Sequence, residues 1–260
     1  MRSLRLLGAL LRVALMNAAQ YRASFLVDFF TGAAGTLGLV LPLVFVYDHA
    51  AEVAGWSFEE SLLVTGFFLM LQGLVGLTIE PNLAAVVEGV RTGSLDYLIL
   101  KPVDAQVAAS LQRVAPARIW DFLAGVGVTL WALWALPTPT PLGVLTALGL
   151  LGAGLVAIYG LWIVVISTSF WFVRVDNLRF LLTAVLDAGR WPVSVYRGWV
   201  RVVLTVVIPV AVVTSYPALA LLGRLEPALA LQTAGVAAGL LLVSRFTWLW
   251  ALRHYTSASS

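Results

Sequence analysis

The chain has 260 residues, 61% hydrophobic and only 11% charged, with a mean hydropathy of +0.96. Soluble domains carry about 25% charged residues, so a water-soluble core is excluded and a polytopic membrane protein is indicated. The net charge of +3 reads as loop lysines and arginines rather than a nucleic-acid surface, because no aromatic-interleaved basic patch exists. There is no cysteine, which excludes disulfides, thiolate metal sites and cysteine nucleophiles.

Residues 1–23 set Arg2, Arg5, Arg12 and Arg22 among leucine and alanine. Arg5 and Arg12 share one helical side while Leu4, Leu7 and Leu11 share another, the pattern of a basic amphipathic helix on an anionic leaflet. The arginines interrupt the apolar run, so it does not read as a signal peptide. Residues 24–250 read as a domain of six membrane-spanning helices, and 251–260 as a cytosolic tail. A span needs about 20 residues to cross about 30 Å of hydrocarbon.

The first span, 24–46, carries Gly32, Gly35 and Gly38 on a small-residue side and Pro42 toward its outer end. A link with Asp48, His49 and Glu52 leads to Ser57, which with Glu60 forms a capping box. The second span, 58–80, holds Gln72 deep inside, placed either to touch cargo or to bond a neighbouring helix. Residues 81–116 then interrupt the apolar sequence. Asn82 stands where a cap would. Leu83, Val86, Val87 and Val90 recur at i, i+3, i+4 and i+7, with Glu88 and Arg91 facing elsewhere and Gly93 as a stop. A second short helix starts after Asp104, with Val107, Leu111 and Val114 on one face. This segment has the look of a cytosolic lever.

The third span, 119–136, has Asp121 at its inner end and Trp131 and Trp134 at the outer belt. The PTPTP turn at 137–141 leads to a fourth span, 142–173, which is overlong and so tilts, projects into the cytosol or breaks near Ser167, Thr168 and Ser169. Residues 174–201 hold five arginines and read as a second cytosolic region. The fifth span, 199–213, contains Pro209, and 214–227 reads as a re-entrant or surface hairpin on the outer side. The sixth span is 228–250. With both termini inside, every lysine and arginine except Arg224 is cytosolic, which sets the orientation.

His49 and His254 fall at opposite faces, so no Ser/His/Asp set can form in one chain. No phosphate-loop motif and no metal-ligand spacing occurs. Few charges sit within the spans, against an ion-coupled pump. No catalytic residue and no metal ligand is read in this chain, and its work requires an external motor.

The stretch Gly93, Leu95, Asp96, Leu98, Lys101, Pro102 fits the G-x-L-D-x-L-L-x-K-P signature, with Ile99 where leucine is usual. With the pairs Trp191–Pro192, Ile208–Pro209 and Tyr216–Pro217, it resembles permease subunits of bacterial type-2 ATP-binding-cassette exporters. That resemblance implies a multi-pass protein of the bacterial inner membrane, with both termini cytosolic, that pairs with an identical or sister permease among membrane lipids. Cytosolic ATPase subunits would bind ATP and magnesium; this chain would carry no cofactor. It also implies a coupling helix near 82–92, where Leu83, Val87, Glu88 and Arg91 meet the ATPase, and a link through Gly93, Leu95, Asp96, Lys101 and Pro102. Gln72, Gly32, Gly35 and Pro209 are the pathway or packing candidates. The cargo is expected to be lipophilic or amphipathic. A motor-independent secondary transporter and a membrane scaffold or assembly factor stand as alternatives.

Overall fold

In the computed structural model, residues 22–171, 184, 186–207 and 209–255 are described. The basic helix expected at 1–23 lies almost wholly outside them. The described chain is helical, and its one β-type contact is an isolated bridge, Val53 to Trp56, in the link after the first helix. Four helical stretches are long and apolar enough to cross a membrane: Leu26–His49, Phe58–Thr92, Pro141–Phe170 and Pro227–Arg253.

Helix α1 (Arg22–His49) keeps most of its surface outside the bundle, with Phe30, Leu37, Leu41 and Phe45 exposed. Helix α2 (Phe58–Leu74) is its opposite, buried almost throughout. The capping box read from the sequence is present: Ser57 Oγ accepts from Glu60 N–H and the Glu60 carboxylate accepts from Ser57 N–H. A π-helical turn (Val75–Ile79) carries α2 without a break into α3 (Glu80–Thr92), so the second span and the helix beyond Pro81 form one rod of 35 residues. Pro81 therefore does not end the helix, and Asn82 is not a cap. A proline removes the hydrogen bond to the carbonyl four residues back. That carbonyl, on Leu77, accepts instead from Ala115 N–H at 3.0 Å. Gly93 closes α3 in the left-handed conformation, φ 74°, as expected.

Two short helices follow: α4 (Leu95–Ile99) and α5 (Ala105–Ser110), the latter capped by Asp104, whose side chain accepts from Gln106 and Val107 N–H. The second helix is shorter than expected and leaves Val107 exposed. Helix α6 (Ile119–Ala135) packs against α2 along glycines. A methyl group on Gly66 would lie 2.2 Å from Thr129 Oγ1, and one on Gly73 would lie 2.4 Å from Phe122 N, so only hydrogen fits there. Helix α7 (Pro141–Ser167) gives way to a 3-10 turn, Thr168–Phe170, where a break is one of the three alternatives.

The fifth span departs from expectation. Helix α8 (Gly198–Val202) continues as a π turn (Val203–Val207); past Pro209 come α9 (Val210–Val213) and α10 (Ser215–Leu221). The Tyr216 hydroxyl meets Thr205. In a straight helix, 11 residues apart means about 16 Å, so the chain must fold back near Pro209. The ascending limb lies along α7, Val213 against Gly154 and the Ala220 carbonyl against Gly143. A hairpin entered from one end of the bundle thus occupies 198–221, earlier in the chain than the 214–227 hairpin expected. Residues 215–221 are buried except for half-buried Leu219, not superficial.

The second cytosolic region also needs correction. Ser194 Oγ accepts from Trp56 Nε1 at 2.9 Å and donates to the Ala54 carbonyl, which puts it at the end of the bundle opposite 80–116. Trp171 lies at the other end, its ring 4.6 Å from that of Trp250 near the close of α11 (Pro227–Arg253). Arg197 and Arg201, close to Ser194 in the chain, therefore leave the side to which the charge count assigned them. Arg224 pairs with buried Glu60 at 2.8 Å, which explains how one cation sits at this far end of α2.

Candidate functional site

The 80–116 segment is anchored at its root and bare at its tip. Asn82 is buried and fully engaged. Its Nδ2 donates to the carbonyls of Thr78 and Arg113, and its Oδ1 accepts from Gln112 and Arg113 N–H, both at 2.7 Å. With the Ala115 to Leu77 bond, this amide rivets the returning strand of the segment to the base of α3. Leu83, Val86, Leu95 and Leu98 are buried beneath, and Val87 is half-buried.

Two further ties reach other spans. Arg245 on α11 holds Asp104 in a bidentate pair, Nη2 to Oδ2 at 2.5 Å and Nη1 to Oδ1 at 3.0 Å, and also donates to Gln106 Oε1. Hydrogen bonds from that guanidinium, aided by the Val107 and Gln106 N–H groups, hold the Asp104 carboxyl below its ordinary pKa of 3.8 against a smaller opposing cost of burial. On α7, the Tyr159 hydroxyl lies 2.8 Å from Ser110 Oγ and accepts from Gln106 Nε2. Asn82, Asp104, Gln106, Ser110, Tyr159 and Arg245 form a connection that the sequence reading did not assemble. Asp104 and Arg245 stand 141 positions apart, and no local pattern joins them.

The residues read as partner-facing lie further out. Glu88 and Arg91 are exposed and bonded to one another, Nη2 to Oε2 at 2.9 Å. Lys101 and Pro102 are exposed at the tip. Around them stand apolar side chains that the sequence reading passed over, Tyr97 and Leu100, 76% and 80% exposed, and Val103, together with Val107. Asp96 is half-buried beside them.

The pathway candidates separate. Pro209 is buried at the fold of the hairpin. Gly32, Gly35 and Gln72 line a cavity of about 530 Å³ between α1, α2, the start of α6 and the Asp187–Arg190 turn. From Glu60 to Gly73 every residue is buried except Gln72, which opens onto this groove and makes no side-chain hydrogen bond among the described residues. Asp28, Asp121, Asp187, Arg118 and Arg190 share the lining, with Arg118 paired to Asp121 at 3.2 Å. A side chain at Gly32 would crowd Asp121 Oδ1 at 3.1 Å, whereas Gly35 faces open space. Among the described residues no cluster of metal-ligating side chains occurs.

Long apolar helices, a projecting segment tied to three of them and a polar groove at one end define a multi-pass membrane permease. Residues 34–259 match the family model described as ABC-2 family transporter protein, and the chain belongs to that family. No curated protein and no solved structure matches it. Membership means a transmembrane component that works with an ATP-binding-cassette ATPase.

Proposed function

We propose that the chain is the permease subunit of an exporter, driven from the 80–116 end by ATPase subunits that carry the ATP and magnesium. The observation that carries this reading is the mechanical continuity of the segment. It extends the second span without a hinge and is bonded to α7 through Tyr159 and to α11 through Arg245. A push on it is delivered to three membrane helices at once.

The exposed tip, with Glu88, Arg91, Tyr97, Leu100 and Lys101, is the surface offered to the ATPase; Gly93, Leu95, Asp96 and Pro102 shape it, and Leu83 and Val87 seat it. Arg91, Lys101, Arg113, Arg118, Arg245 and Arg253 belong to this end and Arg197, Arg201 and Arg224 to the other, a bias that supports a cytosolic tip in the bacterial inner membrane. Six crossings remain the count: Trp171 and Ser194 lie at opposite ends of the bundle, and the 198–221 hairpin crosses nothing. Both termini are then cytosolic. A second permease, identical or sister, completes the pathway; the largely uncovered side of α1, with Leu37, Gly38 and Leu41 exposed, is the face available to it or to lipid. The cargo is amphipathic.

The test is reconstitution with an ATP-binding-cassette ATPase of the same organism. Vesicles should show ATP-dependent transport, and double replacement Glu88→Ala, Arg91→Ala should weaken ATPase capture. Transport without any ATPase, collapsing with an ion gradient, would overturn the reading in favour of a secondary carrier. The carboxylates of the groove are the observation that favours that rival.

A further inference from the structure

The groove has a chemistry of its own. Its volume, about 530 Å³, falls within the range of small-molecule sites. Its lining runs along one stripe of α1, from Asp28 through Thr31, Gly32, Gly35 and Thr36 to Leu39, at the spacing of a single helical face. That stripe covers about 16 Å at 1.5 Å per residue, with the carboxylate at the 80–116 end and the leucine deeper. Opposite the leucine, α2 contributes Phe68 and Leu69. Asp28, Arg118 and Asp121 charge the 80–116 end, while the Asp187–Arg190 turn meets α2 at the deeper level, where a Cβ on Gly189 would lie 3.4 Å from Phe68 Cδ2.

Among the described residues of the lining, three carboxylates face two guanidinium groups, and the Arg118–Asp121 pair accounts for one of each. Asp28 and Asp187 are the other described carboxylates and Arg190 the other described guanidinium. Asp28 has no hydrogen-bond or ion-pair partner among the described residues. An ionisable group within a membrane segment, facing a cavity rather than lipid, marks a ligand or ion path. The opening at Gln72, on an otherwise sealed helix, gives a polar ligand a hydrogen-bonding contact part-way in.

We propose that the groove binds an amphipathic cation, its positive group at Asp28 and its apolar body against Leu39, Phe68 and Leu69, with the Asp187 carboxylate at the deeper end. Calling that ligand the cargo rests on the permease reading; the binding itself does not.

The test uses the full chain in lipid nanodiscs and two ions of nearly equal shape and opposite charge, tetraphenylphosphonium and tetraphenylborate, in equilibrium dialysis against empty nanodiscs. Saturable binding of the phosphonium is expected, at least about tenfold tighter than the borate, or about 1.4 kcal/mol. Asp28→Asn with Asp187→Asn should remove most of that preference. Gly35→Leu, at a position where an added Cβ meets nothing within 4 Å, should fill the groove without disturbing the fold and abolish saturable binding. Equal affinity for the borate, phosphonium binding indifferent to the carboxylates, binding that survives Gly35→Leu, or partition into lipid alone would each overturn the proposal. Stimulation of ATP hydrolysis in the assembled complex is read separately. Carboxylate-dependent binding with no ATPase partner would sink the permease reading and leave the groove. ATP-driven transport with no phosphonium binding would sink the groove and leave the permease.

Discussion

The root and the tip of the 80–116 segment are built on opposite principles. At the root, Asn82 satisfies four backbone groups, Pro81 frees a carbonyl that Ala115 fills, and Asp104 is clasped by Arg245. At the tip, the ion pair of Glu88 and Arg91 is solvated and Tyr97 and Leu100 are bare. The difference separates transmission from recognition. A bond that transmits force must be satisfied within the chain, whereas a surface that meets a partner must leave its contacts to be made.

The comparison breaks most readily at Asn82. Asn82→Ala strands part-buried backbone groups of Arg113 and Gln112, at about 1 kcal/mol for each left unpaired. Thermal unfolding in detergent should fall by several degrees, with proteolysis between 93 and 116 appearing first. An unchanged melting curve would mean that the root is not held there.

Asp104→Asn and Arg245→Gln should do less to the fold and more to coupling. ATPase subunits should still assemble, while ATP hydrolysis loses its link to transport. Because the Asp104 carboxyl is held below 3.8, the pair's contribution is present above that value and lost only as pH falls through the lowered one. Transport across neutral pH should not report this pair; a midpoint near neutrality would assign the titration elsewhere.

Tyr159→Phe removes the bonds to Ser110 and Gln106 and should cost about 1 kcal/mol, read as a small shift in denaturation midpoint. The smallest effect on stability belongs to the tip. Glu88→Ala or Arg91→Ala should cost under about 1 kcal/mol, as exposed ion pairs do. ATPase binding, measured by co-purification, should fall nonetheless. Equal losses of stability at root and tip would erase the distinction.

Much of this was legible in the residues. Ser57 with Glu60, Asp104 before Ala105, Gly93 and the serine–threonine break after α7 are local signals: caps and stops act within a few residues, so spacing suffices. The apolar runs made a membrane bundle unavoidable. The helix end at Pro81 was misread because a proline both ends and merely bends helices, and the outcome turned on Ala115, distant in sequence. Gln72 was visible as an anomaly, but whether it bonds a helix or opens a groove depends on what α1 and residues 187–190 leave empty.

Sequence alone determined that this chain lies in lipid, where the segments opened by Ser57 and Asp104 begin and which stretch projects, since hydropathy and capping are properties of neighbours along the chain. Tertiary structure decided that 198–221 folds back rather than crosses, that Ser194 belongs at the far end, and that Asp104 meets Arg245. Those outcomes depend on which distant backbone and side-chain groups remain to be satisfied, and only packing settles that.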